Sequence, residues 1–304
     1  MATAFQSGFA AIIGRPNVGK STLVNRLVGQ KVAIVSPRPQ TTRNRVQGIV
    51  NREGAQLVLI DTPGLHKPST ALGRQMMEEV QQALDGIDVL AVMVDASEET
   101  GPGDRRALER VRQFQGPAFL ILNKIDLMPK SRLLPRIGAL RAEAEFAEIV
   151  PVSALTGDGV PRLLDQFIKH LPAGEPYFPP DQFTDQPERF LAAEIIREKT
   201  IAATREEVPH AVAALVESFE ESEKLIRIRA MLYVEREGQK GILIGRGGEM
   251  LKKIGTAARR ELEQLLGVKV FLELYVKVRR RWRDSPDLVR QLDWRRQLEH
   301  LSRE

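Results

Sequence analysis

Two hydrophobic patterns alternate along the first half of the chain. Short continuous apolar runs predict buried strands, whereas apolar residues spaced three and four positions apart predict helices. This alternation is typical of an α/β fold in which helices cover both faces of a mostly parallel sheet. The predicted strands are 9–13, 46–50, 56–60, 89–94, 119–122 and 149–152, and the predicted helices are 23–28, 70–84, 105–114, 132–146 and 160–171.

The pattern changes after residue 171. Residues 172–188 are rich in proline and show little periodicity, so we predict a semi-rigid linker between a first domain, 1–171, and a second domain, 189–304. The second domain is predicted as α+β: a helix, two strands, a short helix, a glycine-rich turn, a longer helix and a third strand. These elements are predicted at 190–203, 210–220, 226–234, around 241–244, 245–248, 250–265 and 271–278.

Composition adds limits to this picture. A chain of 304 residues, 42% hydrophobic and 28% charged, has room for about two domains with separate cores. The pI of about 9.5 favours a polyanionic partner. The absence of cysteine excludes disulfides, thiolate zinc sites and cysteine nucleophiles, and it suits a reducing compartment. We expect neither a signal peptide nor a membrane-spanning segment.

The sequence GRPNVGKST at residues 14–22 follows a predicted strand and precedes a helix. It matches the phosphate-binding pattern GxxxxGK[ST], in which glycines let backbone N–H groups converge on phosphate oxygens at a helix N-terminus. Lys20 is predicted to reach the outer phosphates and to act in catalysis, and Ser21 is predicted to bind Mg²⁺. The predicted nucleotide-binding residues of this loop are Gly14, Arg15, Pro16, Asn17, Val18, Gly19, Lys20, Ser21 and Thr22.

Two further segments complete the predicted phosphate site. One is DTPG, where Asp61 would hold Mg²⁺ through water and the Gly64 amide would approach a γ-phosphate as part of the catalytic set. The other is the exposed loop 36–45, where Thr41 or Thr42 would supply another Mg²⁺ ligand as the loop closes over the nucleotide. The sequence leaves open which threonine does so; Thr42 is the predicted metal ligand and catalytic residue. The predicted nucleotide-binding residues of DTPG are Asp61, Thr62, Pro63 and Gly64.

Base selection is predicted from NKID at 123–126 and SAL at 153–155. The Asp126 carboxylate can accept two hydrogen bonds from the N1–H and amino groups of guanine, whereas adenine would leave it unpaired. Asn123 would face the other edge of the base, and the Lys124 stem would cover its plane. Backbone N–H groups in SAL would cap the guanine oxygen. The predicted base-binding residues are Asn123, Lys124, Asp126, Ser153, Ala154 and Leu155.

These motifs, in this order and at these spacings, resemble the translation-factor-related GTPases of the TrmE and Era group. The resemblance covers roughly residues 5–171. It implies hydrolysis of GTP to GDP and phosphate with Mg²⁺, and a switch whose loops change with the nucleotide.

The residue after DTPG has a mechanistic consequence. Ras-like enzymes carry a glutamine there that orients the attacking water, but here the residue is Leu65, which cannot hydrogen-bond. We therefore expect slow intrinsic turnover and another means of positioning water. Asn17 matches an asparagine that helps to bind K⁺ in potassium-activated relatives. It fits equally well a residue that only stabilises its own loop.

The second domain carries IGRGG at 244–248 between two helices. Its element order and this GxxG turn resemble a K-homology domain of the second type, which clamps single-stranded RNA. Basic residues outnumber acidic ones between Lys224 and Arg283, as in a nucleic-acid-binding surface. The predicted RNA-binding residues are Ile244, Gly245, Arg246, Gly247, Gly248, Lys252, Lys253, Arg279, Arg280 and Arg281.

The resemblance to the Era family is close to full length. It implies a bacterial GTPase that binds small-subunit ribosomal RNA near its 3′ end and assists assembly of the small ribosomal subunit. It also implies a cytoplasmic location with peripheral contact at the inner face of the membrane, and we expect a monomer. The basic stretch 277–283 and a predicted amphipathic helix, 288–301, would pack on the second domain with some RNA contact, with contact to anionic lipid as an alternative.

Two other functions remain as hypotheses. One is a structural assembly chaperone whose nucleotide site only stabilises the fold, against which the complete set of Lys20, Ser21 and Asp61 argues. The other is a membrane-associated signalling GTPase whose second domain binds a protein partner. The GxxG turn and its neighbouring lysines argue against that hypothesis.

Overall fold

The computed structural model describes residues 4–295, which group into two compact units. The first unit contains residues 4–33, 42–67 and 76–185, and the second contains 34–41, 68–75 and 186–295. The predicted division near residue 171 thus differs from the observed grouping in two respects. Two short segments of the predicted first domain belong to the second unit, and residues 172–185 of the predicted linker belong to the first.

The first unit contains a six-stranded sheet in the order β2-β3-β1-β4-β5-β6. All neighbouring pairs are parallel except β2 with β3, which form an antiparallel hairpin. The prediction of a mostly parallel sheet is therefore confirmed. The strands are β1 (Gln6–Ile13), β2 (Val46–Arg52), β3 (Ala55–Asp61), β4 (Val89–Asp95), β5 (Ala118–Asn123) and β6 (Glu148–Pro151).

Helices cover both faces of this sheet. Because side chains alternate along a strand, Val89, Ala91 and Met93 of β4 enter one core, while Leu90 and Val92 enter the other. Some helices are shorter than predicted; the fourth, for example, ends well before residue 146. The helices are α1 (Lys20–Val28), α2 (Ala71–Gln82), α3 (Pro102–Val111), α4 (Leu133–Arg141) and α5 (Val160–Lys169).

The proline-rich segment 172–185 packs on the first unit. The buried Gln56 side chain accepts hydrogen bonds from the Tyr177 and Phe178 amides at 2.7 and 2.9 Å and donates to the Phe178 carbonyl at 2.8 Å. The Thr184 hydroxyl donates to the Gln47 carbonyl at 2.7 Å. The proline-rich backbone cannot form a helix, so its N–H and C=O groups need other hydrogen-bond partners. Residues of the sheet supply them and thereby hold the segment.

The second unit contains a three-stranded sheet in the order β7-β8-β9, with β7 antiparallel and β9 parallel to β8. Its apolar face packs on helices around a core that includes Ile196, Ile228 and Ala258. The predicted K-homology order of elements is confirmed. The elements are α6 (Glu188–Ala203), α7 (Val208–Ala211), β7 (Ala213–Ser222), β8 (Leu225–Val234), α8 (Glu237–Ile244), α9 (Glu249–Leu266), β9 (Lys269–Val278) and α10 (Pro286–Gln291).

The predicted helix 288–301 is described only in part. Helix α10 ends at Gln291, and the last residues of the prediction, 296–301, lie outside the described residues. Within residues 4–295, no helix is both long enough and apolar enough to cross a membrane.

Candidate functional site

The phosphate-binding loop joins β1 to α1 and depends on two glycines. Gly19 precedes helix α1 with φ of 101°, and its carbonyl accepts the first helical hydrogen bond from the Leu23 amide at 2.9 Å. A Cβ at Gly14 would collide with the Met93 carbonyl oxygen on the adjacent strand β4. The loop therefore requires glycine at both positions, and the N–H groups at the start of α1 lie at the carboxyl edge of the sheet.

Lys20 is held within this loop. Its Nζ donates to the Gly14 carbonyl at 3.1 Å and to the Arg15 carbonyl at 3.2 Å, and the side chain is buried. Burial lowers the pKa of Lys20 to about 8, although the nearby Asp61 carboxylate partly offsets this effect. A buried ammonium group that donates to two carbonyls, and pairs with no carboxylate within residues 4–295, can bind an anion such as a phosphate.

Three oxygen-bearing side chains from different segments meet beside Lys20. The Ser21 hydroxyl donates to Oδ2 of Asp61 at 2.6 Å and lies 2.8 Å from the Thr42 hydroxyl, which donates to the same carboxylate oxygen at 3.3 Å. Oδ1 of Asp61 is buried and has no hydrogen-bond partner within the described part of the chain. Burial raises the pKa of Asp61.

This cluster fits a hard divalent cation. Mg²⁺ prefers oxygen ligands and keeps several of its own waters, so an unsatisfied carboxylate oxygen beside two hydroxyls suits it. The neighbouring Thr41 is oriented differently, because its hydroxyl donates to the Arg38 carbonyl at 2.6 Å. Of the two threonines left open by the sequence, Thr42 is therefore the one whose hydroxyl lies at the candidate metal site.

The DTPG segment lies against the phosphate-binding loop. The Thr62 hydroxyl donates to the Ile12 carbonyl at 2.8 Å, and the Leu65 amide donates to the Gly14 carbonyl at 3.0 Å. A Cβ at Gly64 would lie 2.7 Å from the backbone nitrogen of Pro16, so only glycine fits there. The Leu65 side chain is buried in the core, 6% exposed.

Arg15 fixes the outer side of the phosphate-binding loop. Its guanidinium pairs with Glu98, lies 3.3 Å from Asp104 and lies 3.8 Å from Asp95. Asp95 ends β4, Glu98 follows it, and Asp104 lies in the first turn of α3. Arg15 thus joins the loop to the region after β4, a role that its place in the motif did not predict.

Asn123 lies at the end of β5, where its side chain joins two loops. Its Nδ2 donates to the Val18 carbonyl at 2.7 Å, and its Oδ1 accepts from the Ala154 amide at 2.8 Å. In the structure this short amide bridges two backbone groups, and its second Nδ2 hydrogen can still be donated, so the expectation that Asn123 faces a base edge stays a prediction. The Ser153 amide likewise donates to a protein acceptor, the Asp158 carbonyl, at 2.8 Å.

The other NKID residues occupy a short 3-10 turn after β5. Lys124 has φ of 66°, and its Nζ lies 2.6 Å from Oδ2 of Asp95. Asp126 is exposed at the carboxyl edge of the sheet, as a residue that binds a base must be. Leu155 is also exposed, 71%, beside the loop that Asn123 holds.

The candidate RNA site lies in the second unit, where α8 ends and α9 begins. Gly245, Gly247 and Gly248 have φ of 74°, 59° and 86°, a region that favours glycine. Ile244 ends α8, and the turn brings Arg246 to the surface. A Cβ at Gly245 would lie 2.9 Å from the Met250 amide nitrogen, whereas one at Gly247 would contact no atom within 4 Å.

Basic side chains lie on both sides of this turn in sequence. Lys252 and Lys253 are exposed on the first turns of α9. Arg279, Arg280 and Arg281 are exposed immediately after β9, where the buried Trp282 anchors the chain by donating from Nε1 to the Ala211 carbonyl at 2.6 Å. The turn, its lysines and this arginine run belong to one unit, and their charge suits a polyanion.

Comparison with known proteins decides the family. Residues 9–124 match the family model described as 50S ribosome-binding GTPase, and residues 207–283 match the KH domain. A crystal structure of a single-residue variant of Aquifex aeolicus Era bound to GDP and AlF4⁻ is 43% identical, with a TM-score of 0.92 over 95% of this chain and 99% of that one. The chain belongs to the Era family of GTPases.

A second Era structure extends the comparison. It contains Era in complex with MgGDPNP and nucleotides 1506–1542 of 16S ribosomal RNA, and it is 42% identical with a TM-score of 0.92, covering 95% of this chain and 99% of that one. The predictions of a P-loop GTPase domain followed by a K-homology domain, and of GTP hydrolysis as the activity, are thereby confirmed.

Sequence reasoning about this Era-family site missed Asp95 and Arg26. Asp95 is a carboxylate at the carboxyl end of the buried strand β4, a position where α/β sheets bind ligands, and that signal could have identified it. Arg26 donates from Nε to the Ala154 carbonyl at 3.3 Å and also contacts the Leu155 carbonyl. It lies in α1 after the GKST motif has ended, so no sequence signal distinguished it.

Proposed function

We propose that this Era-family GTPase is a switch that binds small-subunit ribosomal RNA near its 3′ end and assists assembly of the small ribosomal subunit. The observation that carries the proposal is the full-length similarity to an Era that was crystallised with MgGDPNP and nucleotides 1506–1542 of 16S ribosomal RNA. The glycine-specific turn at 245–248 supports it independently, because this geometry lets a sugar-phosphate backbone approach two helix ends.

In the proposed nucleotide site, the loop from Gly14 to Thr22 surrounds the phosphates with backbone N–H groups. Lys20 lies close to the outer phosphates, whose negative charge would restore its ordinary protonation. Ser21 and Thr42 would hold Mg²⁺ through their hydroxyls, and Asp61 would hold it through a water at its unsatisfied oxygen. A metal held by these residues would supply positive charge beside the phosphates.

The proposed base site is selective for guanine. Asp126 accepts from the two donors on the guanine edge, while Lys124, which Asp95 holds, covers the ring. Asn123 acts by fixing Val18 and Ala154, which places the base loops against the phosphate-binding loop. The exposed segment at Leu155, rather than the occupied Ser153 and Ala154 amides, is the part of SAL that we propose approaches the base.

Hydrolysis in this site requires a water to be oriented without a glutamine. The buried Leu65 cannot do so. We propose that the Gly64 amide and Lys20 stabilise charge on the transferred phosphoryl group. A K⁺ ion beside Asn17 would add positive charge at the same place; the exposed position of Asn17 in the loop supports this part of the proposal.

The proposed RNA site uses the turn from Ile244 to Gly248 together with nearby basic side chains. A ribosomal RNA partner argues for a cytoplasmic protein, and we propose that it works as a monomer. Any peripheral contact with an anionic membrane would rely on the same basic C-terminal region. Sedimentation with anionic vesicles at low and high salt, with and without competing RNA, tests that contact.

The test of the proposal is single-turnover GTP hydrolysis with and without an RNA that copies the 3′ end of small-subunit ribosomal RNA. We expect RNA to stimulate hydrolysis. Gly247→Asp should lose RNA binding and stimulation, because it adds a negative charge in the turn without meeting any atom within 4 Å. Gly267→Asp is the matched control, because Gly267 also has a positive φ, of 71°, and a Cβ there meets no atom within 4 Å, but it lies outside the turn at the other end of α9. Wild-type protein that neither binds this RNA nor responds to it would contradict the proposal.

A further inference from the structure

Two consecutive residues of helix α6, Arg197 and Glu198, hold the loop that precedes Thr42. This loop, Ile34–Thr41, groups with the second unit. Near its start, the Val35 amide donates to Oε1 of Glu198 at 2.9 Å. At its end, Nη2 of Arg197 donates to the Thr41 carbonyl. We call Arg197 and Glu198 the anchor pair.

Both residues of the anchor pair are buried and form ion pairs with neighbouring side chains. Arg197 is 2% exposed, and Glu194, one turn earlier, accepts from its Nε at 2.8 Å and from its Nη2 at 2.7 Å. Glu198 is 7% exposed and accepts from Lys199 at 2.8 Å. A charge that is buried and paired in this way is costly to move, so both side chains offer fixed partners to the loop.

A further ion pair connects helix α6 to helix α9. Lys199 pairs with Glu261 of α9 as well as with Glu198. Helices α6 and α9 share the core of the second unit, where Ile195 and Ile254 are both buried. Helix α9 begins at Glu249, directly after the glycine-rich turn proposed to bind RNA. The loop is therefore connected, through partly exposed ion pairs and core packing, to the helix that starts at that turn.

The anchored loop ends one peptide bond before the candidate metal ligand. The Thr41 carbonyl accepts from Arg197, and the Thr41 hydroxyl donates to the Arg38 carbonyl. The next residue, Thr42, contacts Ser21 and Asp61 instead. Consecutive Cα atoms lie about 3.8 Å apart, so a fixed Thr41 leaves Thr42 little freedom. Gln40, with φ of 61°, shapes the turn that directs the two threonines to different partners.

We propose that Arg197 and Glu198 are positioning residues for GTP hydrolysis, which hold the backbone of Ile34–Thr41 so that Thr42 reaches Mg²⁺ and make this arrangement responsive to RNA at the turn before α9. The inference rests on the proposed function and names the residues through which RNA changes the reaction. Both residues bond to the backbone of this loop, at Val35 and Thr41, and therefore act through Thr42.

The experiment compares Glu198→Gln with Glu198→Ala. Glutamine keeps a carbonyl oxygen that can accept from the Val35 amide, whereas alanine removes it. We expect Glu198→Ala to raise the Mg²⁺ concentration for half-maximal single-turnover hydrolysis by roughly fivefold or more, the usual scale of coupling between sites. GDP affinity in the absence of Mg²⁺ should not change, and Glu198→Gln should restore most of the Mg²⁺ response.

A second measurement uses Arg197→Lys, which keeps the charge but loses the two-pronged contact with Glu194. Its binding of the ribosomal RNA copy should match wild type, while stimulation of hydrolysis by that RNA should fall at least about fivefold. Circular dichroism and the melting temperature confirm that each variant is folded.

The outcomes separate this inference from the proposed function. If wild type is stimulated by RNA and Arg197→Lys is stimulated equally, the proposed function stands and the anchor-pair inference is wrong. If RNA has no effect on wild type, the proposed function fails, and the Mg²⁺ comparison of the two Glu198 variants still decides whether the anchor pair positions Thr42. A folded Glu198→Ala with a wild-type Mg²⁺ response would overturn the inference.

Discussion

The ammonium group of Lys124 lies 2.6 Å from the carboxylate of Asp95. Burial alone would raise the pKa of Asp95, but hydrogen bonds from Lys124 and Ser97 outweigh burial and lower it. Asp95 is therefore an ionised, buried carboxylate that holds the side chain predicted to cover the base. Since Arg15 lies 3.8 Å away, the same carboxylate links the base-binding turn to the phosphate-binding loop.

Replacing Asp95 with asparagine should weaken binding of guanine nucleotides. Loss of one charge-assisted hydrogen bond corresponds to about 1–2 kcal/mol, so we expect the Kd for GDP to rise about five- to thirtyfold. Titration with a fluorescent GDP analogue measures this. Asp85→Asn, at an exposed position, is the control.

A double-mutant cycle shows whether the effect passes through Lys124. Lys124→Ala and Asp95→Asn should weaken binding less in combination than the sum of their separate effects, because they remove the same interaction. Strict additivity would mean that Asp95 acts on the nucleotide by another route.

Gly64→Ala should impair hydrolysis far more than GDP binding. The new Cβ would lie 2.7 Å from the Pro16 backbone nitrogen, so the DTPG segment must move away from the phosphate-binding loop. The amide proposed to stabilise the transferred phosphoryl group would move with it, and we expect kcat to fall by at least about tenfold. Single-turnover hydrolysis and GDP titration separate the two effects.

The matched control for Gly64→Ala is Gly138→Ala in helix α4, where a Cβ meets no atom within 4 Å. This variant should keep wild-type hydrolysis and gain up to about 1 kcal/mol of stability from the better helix propensity of alanine. An unchanged kcat in Gly64→Ala would show that the segment relaxes without affecting the reaction.

Local patterns were sufficient to predict most elements of the fold. The apolar runs of β1, β4 and β5 are nearly continuous because parallel strands are buried on both faces, and motifs at their carboxyl ends mark the ligand edge. Helix ends were harder to predict. Helix α3 begins at Pro102 because Asp104 accepts a hydrogen bond from the Gly101 amide at 2.9 Å, a capping contact outside the hydrophobic period.

Contacts between distant residues could not be predicted in the same way. The Arg197 side chain bonds to a carbonyl 156 residues earlier in the chain, and Gln56 satisfies amides more than 120 residues later. Such contacts depend on tertiary packing and leave no periodic or spacing signal. The residues that carry chemistry within motifs were therefore predicted, whereas the residues that position them, including Asp95, Arg26 and Arg197, were found only in the structure.

Removal of the Lys20 charge should change how stability depends on pH in the nucleotide-free protein. The pKa of Lys20 falls from 10.5 to about 8 on folding, so between these values the unfolded chain binds the proton more tightly. The contribution of Lys20 to the free energy of unfolding therefore increases as the pH rises from about 8 to 10.5. This gain is lost again as the pH falls through the folded pKa of about 8. Lys20→Met does not titrate there.

The measurement is the free energy of unfolding of wild type minus that of Lys20→Met, obtained by urea denaturation at several pH values. We expect the difference to rise by up to about 3 kcal/mol between pH 8 and pH 10.5. Lys67→Met, at an exposed position, is the control: its free energy of unfolding should differ from that of wild type by the same amount at each pH. A difference that is flat across this range would show that Lys20 keeps its ordinary pKa in the folded protein.

Potassium should accelerate GTP hydrolysis if Asn17 helps to bind it beside the phosphates. Because Leu65 is buried and cannot orient water, a cation at this place would supply the missing stabilisation, and we expect kcat in K⁺ to exceed that in Na⁺ several-fold at equal ionic strength. Asn17→Ala should remove the difference. Asn17 has φ of 63°, where alanine is strained, so Asn17→Gly is the matched variant that removes the side chain without strain. Equal wild-type rates in the two salts, or a potassium preference that survives in Asn17→Gly, would leave Asn17 with only the role of stabilising its own loop.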